Sequence, residues 1–240
     1  MKDSLYIVIP AYNEEENIRQ VVDDWYPVVD LRSGDSRLVI VNDGSKDNTL
    51  SVLKSLQADR PKLIVLDKEN GGHGSTILYG YHYALEQGAE YIFQTDSDGQ
   101  TYAYDFRRFW KKRERYEALF AYRPVRGDGR GRAFVEAVLC FIIWLIFGVK
   151  LPDVNAPFRL MKREYLEKYL DAMPEDYLLP NVILTAAGAY CKDDISFLKI
   201  DFGARTGGKN SINIGRILKI GMAAPLGFIR IKSVLTQQKQ

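Results

Sequence analysis

The chain has 240 residues, of which 46% are hydrophobic and 27% are charged, so its composition is that of a folded globular protein. At roughly 150 residues per domain, this length allows one large domain or two small ones. The formal net charge of +2 is too small for binding nucleic acid by bulk electrostatics, and no nucleic-acid partner is expected.

The first half of the chain alternates short apolar runs with amphipathic segments. The apolar runs predict strands at 5–9, 38–41, 63–66 and 91–94. Helical spacing of apolar residues predicts helices over 14–29, from Asp47 to 56, and over 75–87. Because the strands are apolar throughout, we predict a parallel sheet that is buried on both faces. Residues 1–122 are therefore predicted to form a doubly wound nucleotide-binding half, with ligands at the carboxyl ends of the strands.

The second half, residues 123–210, has a less regular pattern. Strands are predicted at 118–122, 158–161 and 195–201, and helices at 107–115, 164–170 and 181–187. No linker separates the two halves, so we predict a single α/β domain over residues 1–210. A basic amphipathic tail follows over residues 211–240.

Residues 137–149 (AVLCFIIWLIFGV) form an uncharged run that is too short to span a membrane, which takes about 20 apolar residues. This run predicts a helix that is either buried in the core or lies at a membrane surface, and the basic tail favours the surface. The first strand begins almost directly after Met1, without a signal peptide. A cytoplasmic protein, peripheral on the membrane face, is therefore expected.

Three polar clusters follow three of the predicted parallel strands. They are Pro10-Ala11-Tyr12-Asn13-Glu14, Asn42-Asp43-Gly44-Ser45 and Asp96-Ser97-Asp98-Gly99-Gln100. Two aspartates separated by one residue are a weak signal alone, because solvated turns often contain them. Three such clusters at the ends of parallel strands predict one shared crevice.

The third cluster predicts a metal site. Asp96, Asp98 and Gln100 offer only hard oxygen ligands, which suit Mg²⁺ or Mn²⁺. Two cysteines and two histidines in the whole chain exclude a Cys/His zinc site and a disulfide scaffold. Since Mg²⁺ usually binds one or two carboxylates together with substrate phosphates, the site predicts a bound diphosphate.

The other two clusters predict a nucleoside pocket. Asp43 is expected to be free to accept hydrogen bonds from a base or ribose, with Tyr12 and Glu14 closing the pocket. The alternative for Glu14 is a carboxylate that stabilises a helix N-terminus. Cations that could bind phosphate are Arg123, Arg126, Arg130, Arg132, Arg205 and Lys209. For Arg126 and Arg130 a solvated loop is the better explanation.

The segment 203–210 nearly matches a phosphate-binding loop of the P-loop type. Asn210 stands where that motif requires Ser or Thr for magnesium, so a P-loop nucleotidase is disfavoured.

Five segments, taken in order, resemble a family 2 glycosyltransferase of the GT-A fold: IPAYNEEEN, VNDGSKDNT, TDSDGQ, NAPFRLMKRE and ARTGGKNS. The resemblance covers roughly residues 4–212 and is greatest to the polyprenyl-phosphate (dolichyl-phosphate) mannose and glucose synthases. It implies a UDP- or GDP-sugar donor, a divalent metal and inversion at the anomeric carbon. It also implies a lipid-phosphate or glycan acceptor and leaves open whether copies of the chain form a homo-oligomer.

The resemblance also implies roles for individual residues. Nucleotide binding falls on Pro10, Ala11, Tyr12, Glu14, Asp43 and Asp96, and metal binding falls on Asp96, Asp98 and Gln100. Phosphate or acceptor binding falls on Arg123, Arg132, Arg205, Lys209 and Ser211. The catalytic set is Asp96, Asp98, Arg123, Asp153 and Arg205.

Two positions depart from the family pattern. Asn155-Ala156-Pro157 replaces part of a D-P-x-S-G-F run, and His73 replaces a polar residue in the GGHG turn. Asp153, which opens that run, is the candidate general base if the acceptor is a hydroxyl, and otherwise a turn aspartate.

Two other functions stay open. A nucleotidyltransferase that makes nucleotide-sugars would also use a parallel sheet and an acidic metal site, but it needs a basic glycine-rich loop after the first strand. The acidic AYNEEEN segment stands there instead. A non-catalytic nucleotide-sugar-binding subunit is disfavoured by the complete set Asp96, Asp98 and Gln100.

Overall fold

The structure, a computed structural model, describes residues 3–32, 34–124, 130–203 and 214–237. Within these ranges the side chains of 130–132 and 214–223 are not described. The strands are β1 (Leu5–Ala11), β2 (Arg37–Asp43), β3 (Leu63–Lys68), β4 (Tyr91–Gln94), β5 (Ala118–Tyr122), β6 (Arg159–Lys162) and β7 (Ile195–Lys199). The helices are α1 (Ile18–Asp30), α2 (Thr49–Gln57), α3 (His73–Glu86), α4 (Ala103–Trp110), α5 (Arg130–Phe147), α6 (Arg163–Leu170), α7 (Pro180–Cys191) and α8 (Ile214–Gln237).

The described strands form one seven-stranded sheet in the order β3-β2-β1-β4-β6-β5-β7. Strand β6 runs antiparallel to both β4 and β5, and every other neighbouring pair is parallel. The predicted α/β class with a mainly parallel sheet is therefore confirmed. The sheet reverses direction only at β6, directly after the 153–158 segment.

Helices cover both faces of the sheet and bury alternate residues of its strands. On one face, Ile7 and Ile9 pack with Trp25 of α1. On the other face, Val8 packs with Tyr81 of α3. Because consecutive strand residues point to opposite faces, an apolar run such as LYIVI supplies both cores at once.

Several helix boundaries differ from the predicted ones, and α1 and α4 show why. Helix α1 begins at Ile18 rather than at residue 14, because residues 14–17 form a turn in which the Glu14 carbonyl accepts from Asn17 and Ile18 N–H (3.0 and 2.8 Å). Helix α4 covers Ala103–Trp110 rather than 107–115, because Phe106 and Phe109 face the core. The charged residues after Trp110 form exposed turns instead.

The uncharged run 137–149 lies mostly in α5, which has two different faces. Leu139, Ile143 and Phe147 are buried in the core, whereas the opposite face is exposed. Helix α8 packs against α5, and its Phe228 and Leu235 join the same core. The run is therefore a core helix along one side and an exposed apolar helix along the other.

Candidate active site

The three polar clusters lie side by side in the folded chain. Strand β1 stands between β2 and β4, with Ala11 opposite Asn42 and Val8 opposite Gln94. Because all three strands are parallel, their carboxyl ends meet at one edge of the sheet. This edge brings together residues 10–14, 42–45 and 96–100, as the positions of the clusters in the sequence predict.

Hydrogen bonds join the first cluster to the second. The Asn13 backbone is left-handed (φ 54°), its N–H donates to Ser45 Oγ (2.9 Å), and its Oδ1 accepts from Lys46 N–H (2.8 Å). The Glu14 N–H donates to Thr49 Oγ1 (2.8 Å). The turn after β1 is thereby fixed on the turn after β2.

The predicted nucleoside-pocket residues of the first cluster differ in exposure. Pro10 and Ala11 are buried at the end of β1, whereas Tyr12 is 36% exposed. Glu14 is buried, and its carboxylate accepts a hydrogen bond from the Asn17 side-chain amide (2.7 Å). Of these residues, Tyr12 therefore has the most side-chain surface available for a ligand.

The carboxylate of Asp43 is engaged by donors of the chain itself. Its Oδ1 accepts from Lys68 Nζ (2.8 Å) and Gly71 N–H (2.9 Å), and its Oδ2 accepts from Gly72 N–H (2.9 Å). Burial alone would raise the pKa of Asp43, but the Lys68 and Gly71 hydrogen bonds hold it below its ordinary value. The expectation of a free carboxylate is therefore not met, because Asp43 fixes the entry to α3.

Gly72 shows why this entry needs glycine. Its φ is +86°, a left-handed conformation that glycine adopts without the cost of a Cβ. The turn delivers two backbone N–H groups to one carboxylate and then starts α3 at His73. His73 is exposed, and its Nε2 lies 3.8 Å from Asp96 Oδ1.

The acidic turn (residues 96–100) follows β4 and docks on the chain after β7. Asp98 Oδ1 accepts from the Gln100 N–H (3.1 Å). Gln100 Nε2 donates to the Gly203 carbonyl (2.8 Å), and Gly203 N–H donates back to the Gln100 carbonyl (2.9 Å). These contacts fix the orientation of the Gln100 side chain.

Two oxygens of this turn fit a cation. Asp96 Oδ1 and Gln100 Oε1 are buried, and neither accepts a hydrogen bond from the described part of the chain. Buried oxygens without donors are uncommon, and a bound ion is one explanation. In the ranges that the structure covers, no group of three or more His, Cys, Asp or Glu gathers around a metal position. The donor set therefore fits Mg²⁺ or Mn²⁺ only together with substrate oxygens or water.

Three residues from separate elements form what we call the acceptor-side cluster: Arg123 after β5, Glu136 on α5 and Asp153 before β6. Arg123 Nε and Nη2 donate to Asp153 Oδ2 and Oδ1 (2.8 and 3.0 Å) in a bidentate pair. Arg123 Nη2 lies 3.8 Å from Glu136 Oε2, and the guanidinium lies 5.0 Å from the Phe202 ring centre. All three side chains of the cluster are largely buried.

The two carboxyl groups of this cluster have opposite pKa shifts. Burial would raise the pKa of Asp153, but the Arg123 hydrogen bonds and charge hold it below its ordinary value. Burial and the charge of Asp153 raise the pKa of Glu136 to about 7. Asp153 is therefore a weak proton acceptor in this structure.

Several predicted phosphate-binding residues fall outside the described parts of the chain. Arg126, Arg205, Lys209 and Ser211 lie outside the described residues, and the side chains of Arg130 and Arg132 are not described. The described chain does show that Gly203, just before the 204–213 segment, is hydrogen-bonded to Gln100.

The structure adds three residues that the sequence reasoning did not assign to the site. Lys68 pairs with Asp43, His73 faces Asp96, and Glu136 faces Arg123 and Asp153. Lys68 and Glu136 carried a signal: the first lies two residues after a predicted strand, and the second is a lone carboxylate just before the uncharged run.

The fold and the site together define a class: a mainly parallel α/β protein whose strand ends carry an acidic, oxygen-only site. Residues 6–170 match the profile of glycosyl transferase family 2, and the chain belongs to this family. The resemblance inferred from the sequence is thereby confirmed.

Relatives with lipid-phosphate names match parts of the chain. The UDP-N-acetylglucosamine–dolichyl-phosphate N-acetylglucosaminyltransferase of Methanococcus voltae is 36% identical over 115 residues, which cover 42% of this chain and 43% of that protein. The undecaprenyl-phosphate 4-deoxy-4-formamido-L-arabinose transferase of Photorhabdus laumondii subsp. laumondii is 24% identical over 201 residues, which cover 82% and 61%. The chain spans about half the length of other curated relatives that it matches.

A solved structure establishes the GT-A fold. Glucosyl-3-phosphoglycerate synthase from Mycobacterium tuberculosis, in complex with Mn²⁺, uridine-diphosphate-glucose and glycerol 3-phosphate, matches with a TM-score of 0.68 at 17% identity. The match covers 95% of this chain and 80% of that one.

Proposed function

We propose that the protein is an inverting, metal-dependent glycosyltransferase that moves a sugar from a UDP- or GDP-sugar to a polyprenyl phosphate or a lipid-linked glycan. The observation that carries this proposal is a pair of buried oxygens, Asp96 Oδ1 and Gln100 Oε1, at the edge where three parallel strands end. Neither oxygen accepts a hydrogen bond from the residues that the structure describes. The chain that carries these two residues belongs to glycosyl transferase family 2.

The donor side of the crevice binds the nucleotide-sugar in this proposal. Asp96, Asp98 and Gln100 would hold Mg²⁺ or Mn²⁺, which when bound supplies positive charge to the departing diphosphate. Tyr12 offers exposed ring surface to the nucleoside, on a turn that Asn13 fixes to Ser45.

Pro10, Ala11, Glu14 and Asp43 shape the rest of the nucleoside pocket from positions that are buried. Asp43 shapes the pocket indirectly. Its carboxylate accepts hydrogen bonds from the Gly71 and Gly72 N–H groups and so fixes the turn that leads into α3. Arg132, Arg205, Lys209 and Ser211 are proposed to bind the phosphates of donor or acceptor. The hydrogen-bonded position of Gly203 supports this role for the segment that follows it.

The transfer step exchanges one bond at the anomeric carbon for another. An acceptor oxygen forms a new bond to this carbon while its bond to the diphosphate oxygen breaks on the opposite face, which inverts its configuration. A phosphate acceptor is already an anion and requires no strong base, whereas a hydroxyl acceptor must lose its proton.

The acceptor-side cluster favours the phosphate. Asp153, the candidate base, is paired with Arg123 and has a lowered pKa, so it is poorly suited to remove a proton from a hydroxyl. Relatives named for dolichyl phosphate and undecaprenyl phosphate support the same choice.

A membrane surface is the proposed location of such an acceptor. One face of α5 exposes large apolar side chains, and α8 adds two more beside it: Phe134, Val138, Phe141, Trp144, Leu145, Leu226 and Ile229. None of the helices in the described ranges has the length and apolarity needed to cross a membrane. We propose peripheral binding to the cytoplasmic face of the membrane through this surface, which we call the apolar α5–α8 face.

A thermal-shift panel tests the donor assignment. Nucleoside diphosphates and nucleotide-sugars with uracil or guanine are added with and without Mn²⁺, and the cognate ligand raises the melting temperature by an amount that grows with its concentration relative to its dissociation constant. Transfer is then measured with the labelled cognate sugar and undecaprenyl phosphate. Pyrophosphate release from a nucleoside triphosphate and a sugar phosphate would instead identify a nucleotidyltransferase. Binding without transfer or hydrolysis would identify a non-catalytic subunit.

A further inference from the structure

Gln100 has an amide group whose two ends have different surroundings. Its Nε2 donates to the Gly203 carbonyl (2.8 Å), and the Gly203 N–H donates to the Gln100 carbonyl (2.9 Å). Only the NH₂ end of an amide can donate to a carbonyl oxygen, so the Gly203 contact decides which end is which. Oε1 therefore lies on the other side of the amide, where it is buried and accepts no hydrogen bond from the residues that the structure describes.

Gly203 approaches the N-terminus of α4 more closely than a residue with a side chain could. A Cβ atom at position 203 would overlap the Tyr102 hydroxyl and lie 3.2 Å from Cζ of the same ring. The φ angle of Gly203 lies outside the left-handed region, so the close approach, and not the backbone conformation, requires glycine here. Any side chain at position 203 must displace either the Tyr102 ring or the Gly203 peptide that Gln100 contacts.

Three contacts keep the Tyr102 ring and the chain after β7 in place. The Tyr102 ring is stacked on the Tyr104 ring, with the ring centres 5.2 Å apart and the planes 8° apart. The Tyr104 hydroxyl donates to Asp201 Oδ2 (3.1 Å), and the Asp201 N–H donates to the buried carboxylate of Asp105 (3.1 Å). The first turn of α4 therefore holds the chain after β7 against the acidic turn.

We propose that Gly203 is a positioning residue of the cation site: its carbonyl oxygen holds Gln100 Nε2, so that Oε1 is presented to Mg²⁺ or Mn²⁺ together with Asp96. This inference rests on the proposed function, because it takes a cation to bind at this turn. Groups that hold a metal ligand from behind set both its orientation and its basicity. The hydrogen bond from Nε2 also shifts electron density towards Oε1, which strengthens Oε1 as a ligand.

This arrangement explains why an amide, rather than a third carboxylate, stands at position 100. A carboxylate would offer more charge to a cation, but it has no N–H to donate to the Gly203 carbonyl. Its second oxygen would instead face that carbonyl oxygen at hydrogen-bonding distance, where two acceptors repel each other. Gln100→Glu therefore separates the two requirements, because it adds charge to the ligand and removes the donor.

The main test compares Mn²⁺ affinities, which are measured without sugar transfer. Free Mn²⁺ is followed by its electron paramagnetic resonance signal in the presence of saturating UDP or GDP, whichever raises the melting temperature more. The nucleotide's own binding of Mn²⁺ is common to all variants and cancels in the ratio of dissociation constants. We expect Gly203→Ala to raise the dissociation constant of Mn²⁺ about tenfold, as for loss of a group that holds a metal ligand. Gln100→Glu should also bind Mn²⁺ more weakly than the wild type, despite its added charge.

A rescue variant tests whether the close approach to Tyr102 is the cause. Gly203→Ala/Tyr102→Ala makes room for the new methyl group, so its Mn²⁺ affinity should be closer to that of the wild type than the affinity of Gly203→Ala is. Gly188→Ala is the matched control, because a Cβ atom there would overlap the Tyr165 hydroxyl within the core beside α7. It should lower the melting temperature of the unliganded protein and leave the Mn²⁺ dissociation constant unchanged. All titrations are run below the melting temperature of every variant.

The outcomes separate this inference from the function on which it rests. An unchanged Mn²⁺ affinity in Gly203→Ala, tighter Mn²⁺ binding in Gln100→Glu, or an undiminished loss in the rescue variant would overturn the positioning role alone. A similar loss of Mn²⁺ affinity in Gly188→Ala would do the same, because the effect would then follow from lowered stability. A wild type that binds no Mn²⁺ with either nucleotide would overturn the metal dependence in the proposed function, and this inference with it.

Discussion

Carboxylates on the proposed donor side and the proposed acceptor side of the site respond to pH in opposite directions. Asp43 on the donor side has a lowered pKa, so its contribution to stability is present above its unfolded pKa and is lost as the pH falls through its folded pKa. Glu136 on the acceptor side has a pKa raised from 4.5 to about 7, so stability is lost as the pH rises between those values.

The difference follows from the hydrogen-bond donors and cations that surround each carboxylate. Asp43 receives two backbone N–H groups and Lys68, which compensate its burial. Glu136 and Asp153 lie on the same arginine, Arg123, and burial together with the charge of Asp153 raises the pKa of Glu136. Asp43 on the donor side therefore stays ionised at neutral pH, whereas Glu136 on the acceptor side releases its proton near neutral pH.

The largest expected effect lies on the donor side, at Asp98. Replacing Asp98 by Ala removes a carboxylate from the proposed metal site and should lower transfer about a thousandfold, as for loss of a key electrostatic group. The Mn²⁺-dependent part of the thermal shift by the cognate nucleotide should disappear as well. Asp59→Ala, at an exposed aspartate after α2, is the control and should keep both properties. Undiminished turnover in Asp98→Ala would reject the assignment.

The next effect tests the ion pair of the acceptor side. Arg123→Ala removes the bidentate cation partner of the buried Asp153, and removing one partner of a buried pair typically costs about 3–5 kcal/mol. Chemical denaturation of Arg123→Ala measures this loss. The double variant Arg123→Ala/Asp153→Asn should recover part of it, because the charge left uncompensated is then removed. A loss below about 1 kcal/mol in Arg123→Ala would mean that the pair is solvated.

Much of the fold is predictable because local sequence patterns decide it. The strands are continuous apolar runs, and their turns carry the polar residues that the crevice needs, so the α/β sheet and the three converging clusters follow from spacing alone. The boundaries of α1 and α4 do not follow, because the Glu14 turn and the packing of Phe106 depend on contacts with other elements.

The partners of the site residues are less predictable. Asp43 and Lys68 are 25 residues apart in the chain, and Arg123 and Asp153 are 30 residues apart. Which carboxylate receives which cation depends on strand order and on the way the loops close, and neither is encoded near the residues themselves. The strand-end position of Asp43 and the family resemblance at Asp153 could therefore make both residues candidates for the site, but neither predicts that both carboxylates are already engaged.

A smaller effect is expected at Asp153, and it tests how far the charge of Asp153 raises the pKa of Glu136. Burial is the main cause of the raised pKa of Glu136, and Asp153→Asn removes the second cause, the neighbouring negative charge. The pKa of Glu136 should then fall, and the loss of stability between about pH 5 and pH 7.5 should become smaller. Unfolding curves at several pH values measure this change. Asp43→Asn is the donor-side counterpart and should change only the acid side of the profile. A neutral-range loss of the same size in Asp153→Asn would show that burial alone raises the pKa of Glu136.

The smallest effect on stability is expected at the apolar α5–α8 face. Phe141 and Trp144 are 55% and 41% exposed, and their rings lie 5.7 Å apart, so the double change Phe141→Ser/Trp144→Ser should alter the free energy of unfolding by about 1 kcal/mol or less. If this face binds the membrane, the same change should weaken co-sedimentation with phosphatidylglycerol vesicles at least about tenfold, because burying each ring contributes on the order of 1–2 kcal/mol.

Leu31→Ser is the matched control, since Leu31 is 88% exposed at the end of α1, away from α5 and α8 in the sequence. Equal vesicle binding by all three proteins, or none by the wild type, would reject the membrane role. The exposed face of α5 would then have to be explained by contact with another protein surface.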